Sequence, residues 1–330
     1  MQERLKAAML SLDARMASRF LSVTHEEGAL LCFLFHSLFE NGAEVRNGVL
    51  DPQQGVTAEM FRAFLGHFHE QRYSFVSPGQ ILEGLQPSGK YILLTFDDGY
   101  GNNRRALPAM EEFNAPAVFF ISSEHVRDGK AFWWDAAFRA GRKRGKSEAE
   151  IRRTMAGYKR MKTGEVECAL KNEFGKDALR PVGDLDRPFT PGELREFAEH
   201  RLVSMGNHTK NHAILTNYNL AEAREQIQGG QDAIQEMTGK MPDMISYPNG
   251  NCSPEIRQAA REAGLRLGVG VRRGKNRLPL KTRATDAMAL RRFTLWGDRG
   301  ITAQCRVSRA NVSLYGLVES LKEKASAASR

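Results

Sequence analysis

Seven short apolar segments constrain the fold of this chain more than any other feature. Most are nearly continuous runs of apolar residues without alternation, as expected for strands buried on both faces of a parallel sheet. Helical patterns lie between them, and such alternation predicts an α/β sheet or barrel. Seven strands suit an incomplete barrel. The predicted strands are residues 30–35, 91–96, 116–121, 202–206, 243–247, 265–271 and 289–294.

Helix starts are marked by recurring capping patterns. Residues 77–80 (SPGQ) and 190–193 (TPGE) each offer an N-cap, a proline at the first helical position and a capping-box partner three residues on. Ser253 followed by Pro254 is a third start. Residues 219–237 form a long predicted helix that ends near Gly239, a plausible C-cap.

Residues 127–189 interrupt this alternation, because the segment is basic, favours helix and contains no good strand. We predict a helical insertion over one end of the barrel. Between residues 139 and 162 there are ten Lys or Arg and two Glu, so most of the net charge of +9 lies there. One interpretation is a solvated helical face. The other is an arm that binds phosphate, anionic lipid or nucleic acid. Aromatic residues are sparse in this segment, which argues against a surface that stacks on the bases of single-stranded nucleic acid.

The length of the chain does not decide how many domains it forms. A chain of 330 residues can form one large domain or two smaller ones. The predicted organisation is an N-terminal amphipathic helix and lead-in (1–29), a barrel (30–300) and a C-terminal helix that packs on it (301–330).

The four cysteines are scattered, which favours free thiols. The first residues interleave charged and apolar side chains, unlike a signal peptide. The most apolar run, residues 29–35, is too short to span a bilayer, which needs ~20 residues. We therefore predict a cytoplasmic location and no transmembrane segment.

Chemistry in such folds is placed where strands end and loops begin. Asp97 and Asp98, followed by Gly99, close the second predicted strand. Side chains of neighbouring residues diverge, so one carboxylate can bind a metal while the other faces a bound water. The alternative is an ordinary turn, because Asp-Gly is a common hairpin sequence.

Two further motifs also follow predicted strands. His208 and His212 are four residues apart, a spacing that places both imidazoles on one face of a helical turn, where they can hold one ion. The segment Tyr247-Pro248-Asn249-Gly250 closes the fifth strand, and its backbone N–H groups could point into a site. One Asp and two His make a three-ligand set that leaves a coordination position open, as catalytic zinc sites do. A metal held this way makes water a usable nucleophile and polarises a carbonyl.

The order and spacing of these motifs resemble the polysaccharide deacetylases, the NodB-homology or carbohydrate esterase 4 group. The resemblance covers roughly residues 30–293 and implies a distorted (β/α)7 barrel. It implies that Asp97 is the base and that Asp98, His208 and His212 bind the metal, usually Zn²⁺. It also implies that the backbone N–H of Asn249 stabilises the oxyanion, with Tyr247 and Pro248 in the same substrate loop.

This chain departs from the family pattern at two positions. The third motif often begins with Arg, where Ser246 stands here. Arg292 at the last strand either orients Asp97 instead or forms a solvent-facing charge pair. The final family motif carries a His that protonates the leaving amine, yet no histidine follows His212. His36 directly follows the first strand, so we predict that it is the acid. The alternative is a packing or hydrogen-bonding histidine.

The remaining candidate residues have less specific sequence contexts. Trp133 and Trp134 either stack on a sugar ring or anchor the insertion to a core. His67, His69, His125 and His200 lack a motif context and read as surface or structural residues.

The sequence thus predicts metal-dependent hydrolysis of the N-acetyl group of an N-acetylated glycan or a lipid- or nucleotide-linked precursor. Its substrate or an anionic lipid could meet the basic segment 139–162. The alternatives are another amide hydrolase on this fold (a sugar deformylase or a ureide hydrolase), a non-catalytic glycan-binding relative, and a nucleic-acid-binding protein. We expect no specific nucleic-acid partner.

Overall fold

The computed structural model describes residues 2–24, 26, 28–280, 285–311 and 313–314. Within these ranges the strands are β1 (Ala29–Phe35), β2 (Ser74–Phe75), β3 (Lys90–Phe96), β4 (Ala117–Ile121), β5 (Val203–Asn207), β6 (Met244–Ser246), β7 (Leu267–Val269), β8 (Asn276–Arg277) and β9 (Arg292–Thr294). The helices are α1 (Gln2–Val23), α2 (Gly42–Arg46), α3 (Ala58–Glu70), α4 (Pro78–Glu83), α5 (Leu107–Glu112), α6 (Ser123–Asp128), α7 (Trp133–Lys143), α8 (Glu148–Tyr158), α9 (Thr163–Phe174), α10 (Pro191–Ala198), α11 (Leu220–Thr238), α12 (Pro254–Glu262) and α13 (Ile301–Ala310).

The parallel strands form a nearly closed barrel. Strands β1, β3, β4, β5, β6 and β7 pair in this order, and β9 pairs with β1 on its other side. The gap between β7 and β9 is bridged at Leu290, whose amide donates to Gly268 O (2.8 Å) and whose carbonyl accepts from Gly270 N (3.0 Å). The predicted seven-stranded barrel is therefore confirmed.

Each long strand is buried on both faces, which explains the uninterrupted apolar runs. Leu31 and Phe33 of β1 belong to the core under the surrounding helices, whereas Leu30 and Cys32 belong to the core that also contains residues of β6 and β7. Side chains alternate between the two faces of a strand, so both alternate sets must be apolar. The seven predicted strands all appear, some of them shorter than expected. The two-residue strands β2 and β8 were not predicted, because such short elements leave no pattern.

The predicted helix starts are confirmed by their caps. Ser77 and Thr190 form capping boxes with Gln80 and Glu193. Ser253 accepts from the amide of Ile256 at the start of α12. Helix α11 ends at a left-handed Gly239, with φ of 71°.

The segment 127–189 is helical, with α7, α8 and α9 inside it. Its apolar side chains form a separate core with Phe39, Leu50 and Tyr100, which lie in loops that follow β1 and β3. Because these loops leave the carboxyl ends of the strands, the insertion covers that end of the barrel. It packs on the same end as the three sequence motifs.

The two ends of the described chain pack together, α13 contacting both α1 and α3. The predicted C-terminal helix extended to residue 330, and residues 315–330 lie outside the described part of the chain. The proposed domain boundaries stay predictions. Among the described residues, no helix combines the length and apolarity needed to cross a bilayer. The cytoplasmic location also stays a prediction.

Candidate active site

Strand register brings the motifs to one rim of the barrel. Phe35 of β1 is paired with Phe96 of β3, so His36 and Asp97 leave the sheet side by side. On the other side, Asn207 of β5 is paired with Ile245 of β6, which places His208 level with Ser246. The carboxyl ends of parallel strands meet at one edge, and distant sequence motifs converge there.

Asp98, His208 and His212 form a compact candidate metal site. Asp98 Oδ1 lies 3.3 Å from His208 Nε2 and 3.4 Å from His212 Nε2. The three potential ligand atoms lie within 4.8 Å of one another. Both carboxylate oxygens of Asp98 are buried and have no hydrogen-bond partner. An ionised carboxylate in that state is costly unless a cation neutralises it, so these residues fit a divalent metal.

The hydrogen bonding of His208 leaves its Nε2 atom available to bind a metal. Its Nδ1 lies 2.7 Å from the carbonyl oxygen of Ser246, which can only accept, so Nδ1 carries the proton and Nε2 presents its lone pair. Burial lowers the pKa of His208, but the carboxylates of Asp97 and Asp98 more than offset this and raise it. Burial and the neighbouring His208 hold the pKa of His212 well below its ordinary value, which favours the neutral imidazole that a metal needs.

The loops that carry the candidate metal ligands adopt backbone conformations that are unusual for residues with a side chain. Asp98, Thr209, His212 and Asn249 have φ of 81°, 64°, 53° and 57°. Such left-handed residues cost free energy and cluster at functional sites, where the surrounding structure must hold them.

The predicted helical turn at residues 208–212 was wrong. The segment is a turn with left-handed residues, in which Asn207 Oδ1 accepts from Thr209 N (2.7 Å) and Thr209 Oγ1 accepts from Ala213 N (2.8 Å). These side-chain acceptors replace the helical hydrogen-bond pattern. The two imidazoles still meet, with ring centroids 4.8 Å apart.

Arg292 lies against Asp97 in a buried ion pair. Its Nη1 and Nη2 donate to Asp97 Oδ1 (2.7 Å) and Oδ2 (2.8 Å), and its Nε donates to Gly270 O. Ser246 Oγ also donates to Asp97 Oδ2 (2.9 Å). Burial raises the pKa of Asp97, but Arg292 overcomes that effect and lowers it to about 2. The carboxylate is therefore ionised and fixed in orientation, in the arrangement predicted for Arg292.

His36 lies beside Asp97 and is held by Gln54, a residue that sequence reasoning missed. Gln54 Oε1 accepts from the backbone N of His36 (3.0 Å) and lies 3.2 Å from its Nδ1. Gln54 Nε2 donates to Leu34 O, which fixes the amide orientation. An amide oxygen only accepts, so Nδ1 of His36 carries a proton and Nε2 is the atom left for a reacting group. No sequence pattern connects Gln54 to this role.

The third motif borders the site through its backbone. The side chain of Tyr247 is fully buried in an apolar cluster, so it does not reach a substrate; only its backbone belongs to the loop. Pro248 is buried as well, whereas Asn249 forms the edge of the rim. Val271 would clash with a Cβ at Gly250 (2.4 Å), and φ there is 76°, so this turn requires glycine.

Trp133 and Trp134 anchor the insertion, because they are 4% and 6% exposed. Trp134 packs on the ring of His212 at 4.5 Å, and its Nε1 donates to the hydroxyl of Tyr100. That hydroxyl donates to Asp135, a buried carboxyl whose pKa burial holds well above its ordinary value. The alternative of a sugar-stacking surface is therefore wrong for this pair.

Of the four histidines without a motif, His125 is fully buried and stacks on Phe132 at 4.4 Å. Burial lowers its pKa to about 3, so it is neutral, as a structural residue.

Comparison with known proteins agrees with this geometry. A family model described as polysaccharide deacetylase matches residues 84–268, more than half of the chain. The chain belongs to the polysaccharide deacetylase family. The matched segment contains Asp97, Asp98, His208, His212 and the third motif, while His36 and Arg292 lie outside it.

Two Bacillus subtilis (strain 168) proteins are similar in sequence. One is "Putative polysaccharide deacetylase YxkH", 20% identical over 74% of this chain and 66% of that protein. The other is "Peptidoglycan-N-acetylmuramic acid deacetylase PdaC", 36% identical over 29% of this chain and 20% of that protein. The chain thus spans just under two thirds of the first relative and a fifth of the second.

A solved de-N-acetylase from Aggregatibacter actinomycetemcomitans has the same fold, with a TM-score of 0.59 at 15% identity over 84% of this chain and 99% of that one. It supports the distorted barrel architecture of the deacetylases.

Proposed function

We propose that this chain is a metal-dependent deacetylase that removes the acetyl group from an N-acetylated sugar in a glycan or glycan precursor. The observation that carries the proposal is the buried carboxylate of Asp98, which has no hydrogen-bond partner and faces the Nε2 atoms of His208 and His212. Family membership supplies the acetylated glycan as substrate class. Asp and His ligands in this number suit Zn²⁺.

In the proposed reaction two side chains transfer protons, Asp97 as the base and His36 as the acid. A bound ion would polarise the acetamide carbonyl and acidify water at the site. Asp97 accepts the proton of the attacking water while Arg292 and Ser246 hold its carboxylate in place. His36 donates a proton to the amine nitrogen as the C–N bond breaks, and acetate and a free amine leave. The backbone N–H of Asn249 is the candidate donor to the developing oxyanion.

We expect chelation to abolish acetate release. Zinc-loaded, chelated and zinc-restored protein would be assayed on a panel of N-acetylated sugars, oligosaccharides and sugar-lipids, with N-formyl sugars and ureides in parallel. Activity that is lost on chelation and returns with zinc supports the proposal. Acetate release that survives complete metal removal would contradict it. Release of formate or ammonia without acetate would favour another amide hydrolase, and no release would favour a binding protein.

His36→Ala is expected to lower kcat about 10²-fold, because the leaving amine loses its proton donor. The matched control is His200→Ala, which removes a partly buried imidazole that contacts Glu111 just before β5, at the opposite end of that strand from the candidate site. Acetate release and zinc content would be measured for both variants. A His36→Ala protein with wild-type turnover and full zinc content would exclude His36 as the acid.

A further inference from the structure

Lys159, a residue of the basic insertion, contacts the rim of the candidate active site. It directly follows α8, and its Nζ lies 3.0 Å from Asn249 Oδ1. Asn249 belongs to the third motif, three residues after Ser246, whose carbonyl oxygen contacts His208. One ammonium group of the insertion is therefore beside the loop that borders the metal site.

The backbone around Lys159 is tied to the loop that follows His212. Asn217 Nδ2 donates to the carbonyl oxygens of Lys159 (3.0 Å) and Met161 (2.9 Å). Lys162 Nζ contacts both carboxylate oxygens of Glu222 at 2.6 and 2.9 Å. These contacts hold the α8–α9 connection as a fixed wall of the site, so the position of Lys159 does not depend on its own side-chain contact.

Lys159 is one of several cations of the insertion that form no ion pair with a described residue, and its contact with Asn249 places it at the rim. Within the part of the chain that the structure describes, Arg144, Arg152 and Lys162 each form an ion pair, whereas Lys159 forms none and contacts only a neutral amide oxygen. The nearby carboxylate of Asp51 is already held by Arg152, at 2.5 and 2.8 Å. An ammonium group has three N–H donors, and Asn249 uses one of them.

We propose that Lys159 forms an anion subsite that binds a phosphate or carboxylate carried by the N-acetylated sugar. The inference rests on the proposed function and narrows its substrate class. An oxyanion would gain charge-assisted hydrogen bonds that a neutral amide cannot give. The carboxylates among the described residues near this position are offset, because Arg292 neutralises Asp97, Arg152 neutralises Asp51, and a divalent cation would outweigh the charge of Asp98.

The test compares charged and neutral sugars in binding, so it does not require turnover. Ligand-observed NMR titration of the zinc-loaded chain would give Kd for N-acetylglucosamine, N-acetylglucosamine 1-phosphate and N-acetylmuramic acid. The wild type should bind at least one charged sugar roughly tenfold more tightly than the neutral one, the phosphate and carboxylate arms deciding which anion it takes. Lys159→Ala should reduce that preference roughly tenfold, and Lys159→Arg should keep most of it.

The matched control is Lys143→Ala, which removes an exposed cation from the end of α7 in the same insertion. It should keep the wild-type preference, whereas a general field effect of the basic segment would lower it in both variants and overturn the inference. A preference that survives in Lys159→Ala would also overturn it, because the metal alone would then account for anion binding. Acetate release across the whole panel of N-acetylated sugars, oligosaccharides and sugar-lipids separates the two ideas: no release by the wild type would refute the deacetylase, while the titration still decides the role of Lys159.

Discussion

Asp97→Asn is expected to lower kcat for acetate release by about 10²–10⁴-fold while the chain keeps its zinc. Asparagine has nearly the shape of aspartate but cannot accept a proton. Asp98, His208 and His212 are untouched by the change, so metal binding should persist. Steady-state kinetics on the best sugar of the panel and zinc content by elemental analysis would be measured together.

The change also leaves Arg292 without its counter-charge, so folding must be controlled. Kinetics would be taken only under conditions where circular dichroism shows the variant folded. Wild-type turnover in a folded, zinc-loaded Asp97→Asn protein would remove Asp97 from the mechanism. Loss of zinc in parallel with activity would instead indicate that Asp97 supports the metal site.

Arg292→Met is expected to lower the free energy of unfolding by about 3–5 kcal/mol. The side chain is 1% exposed and donates to Asp97, Gly270, Thr95 and Ser246. Methionine fills much of the same volume but leaves the Asp97 carboxylate buried with no cation beside it. Urea unfolding of the wild type and the variant would measure the loss.

The matched control is Arg291→Met, one residue earlier and only partly buried, which should cost less than about 1 kcal/mol. The double variant Asp97→Asn/Arg292→Met should lose less free energy of unfolding than the sum of the two single variants. In the double variant both charges of the pair are gone, so no buried charge is left without its partner. Additive losses would show that the two side chains are not energetically coupled. An Arg292→Met protein as stable as the control would contradict the ion pair as a stabilising contact.

Much of the fold was predictable because its signals are local. The apolar runs of the long strands are continuous since each strand is covered on both faces, and the helix starts at Ser77, Thr190 and Ser253 repeat one capping pattern. The candidate metal ligands could be predicted because Asp98 and His208 closely follow strand ends and His212 lies four residues after His208. The conformation of residues 208–212 could not, because it depends on acceptors from Asn207 and Thr209 in place of helical bonds.

The sequence by itself determined the seven-stranded barrel, the order of its motifs and the residue types of the candidate metal site. Hydrophobic period, helix caps and strand-end position each depend on a few neighbouring residues. Only the tertiary structure decided the partners of those residues. Arg292 contacts Asp97, which is 195 positions away in sequence, and Lys159 contacts Asn249, which is 90 positions away. Gln54 fixes the ring of His36. Such pairs depend on strand register and on how the insertion packs against the rim, and no local pattern encodes either.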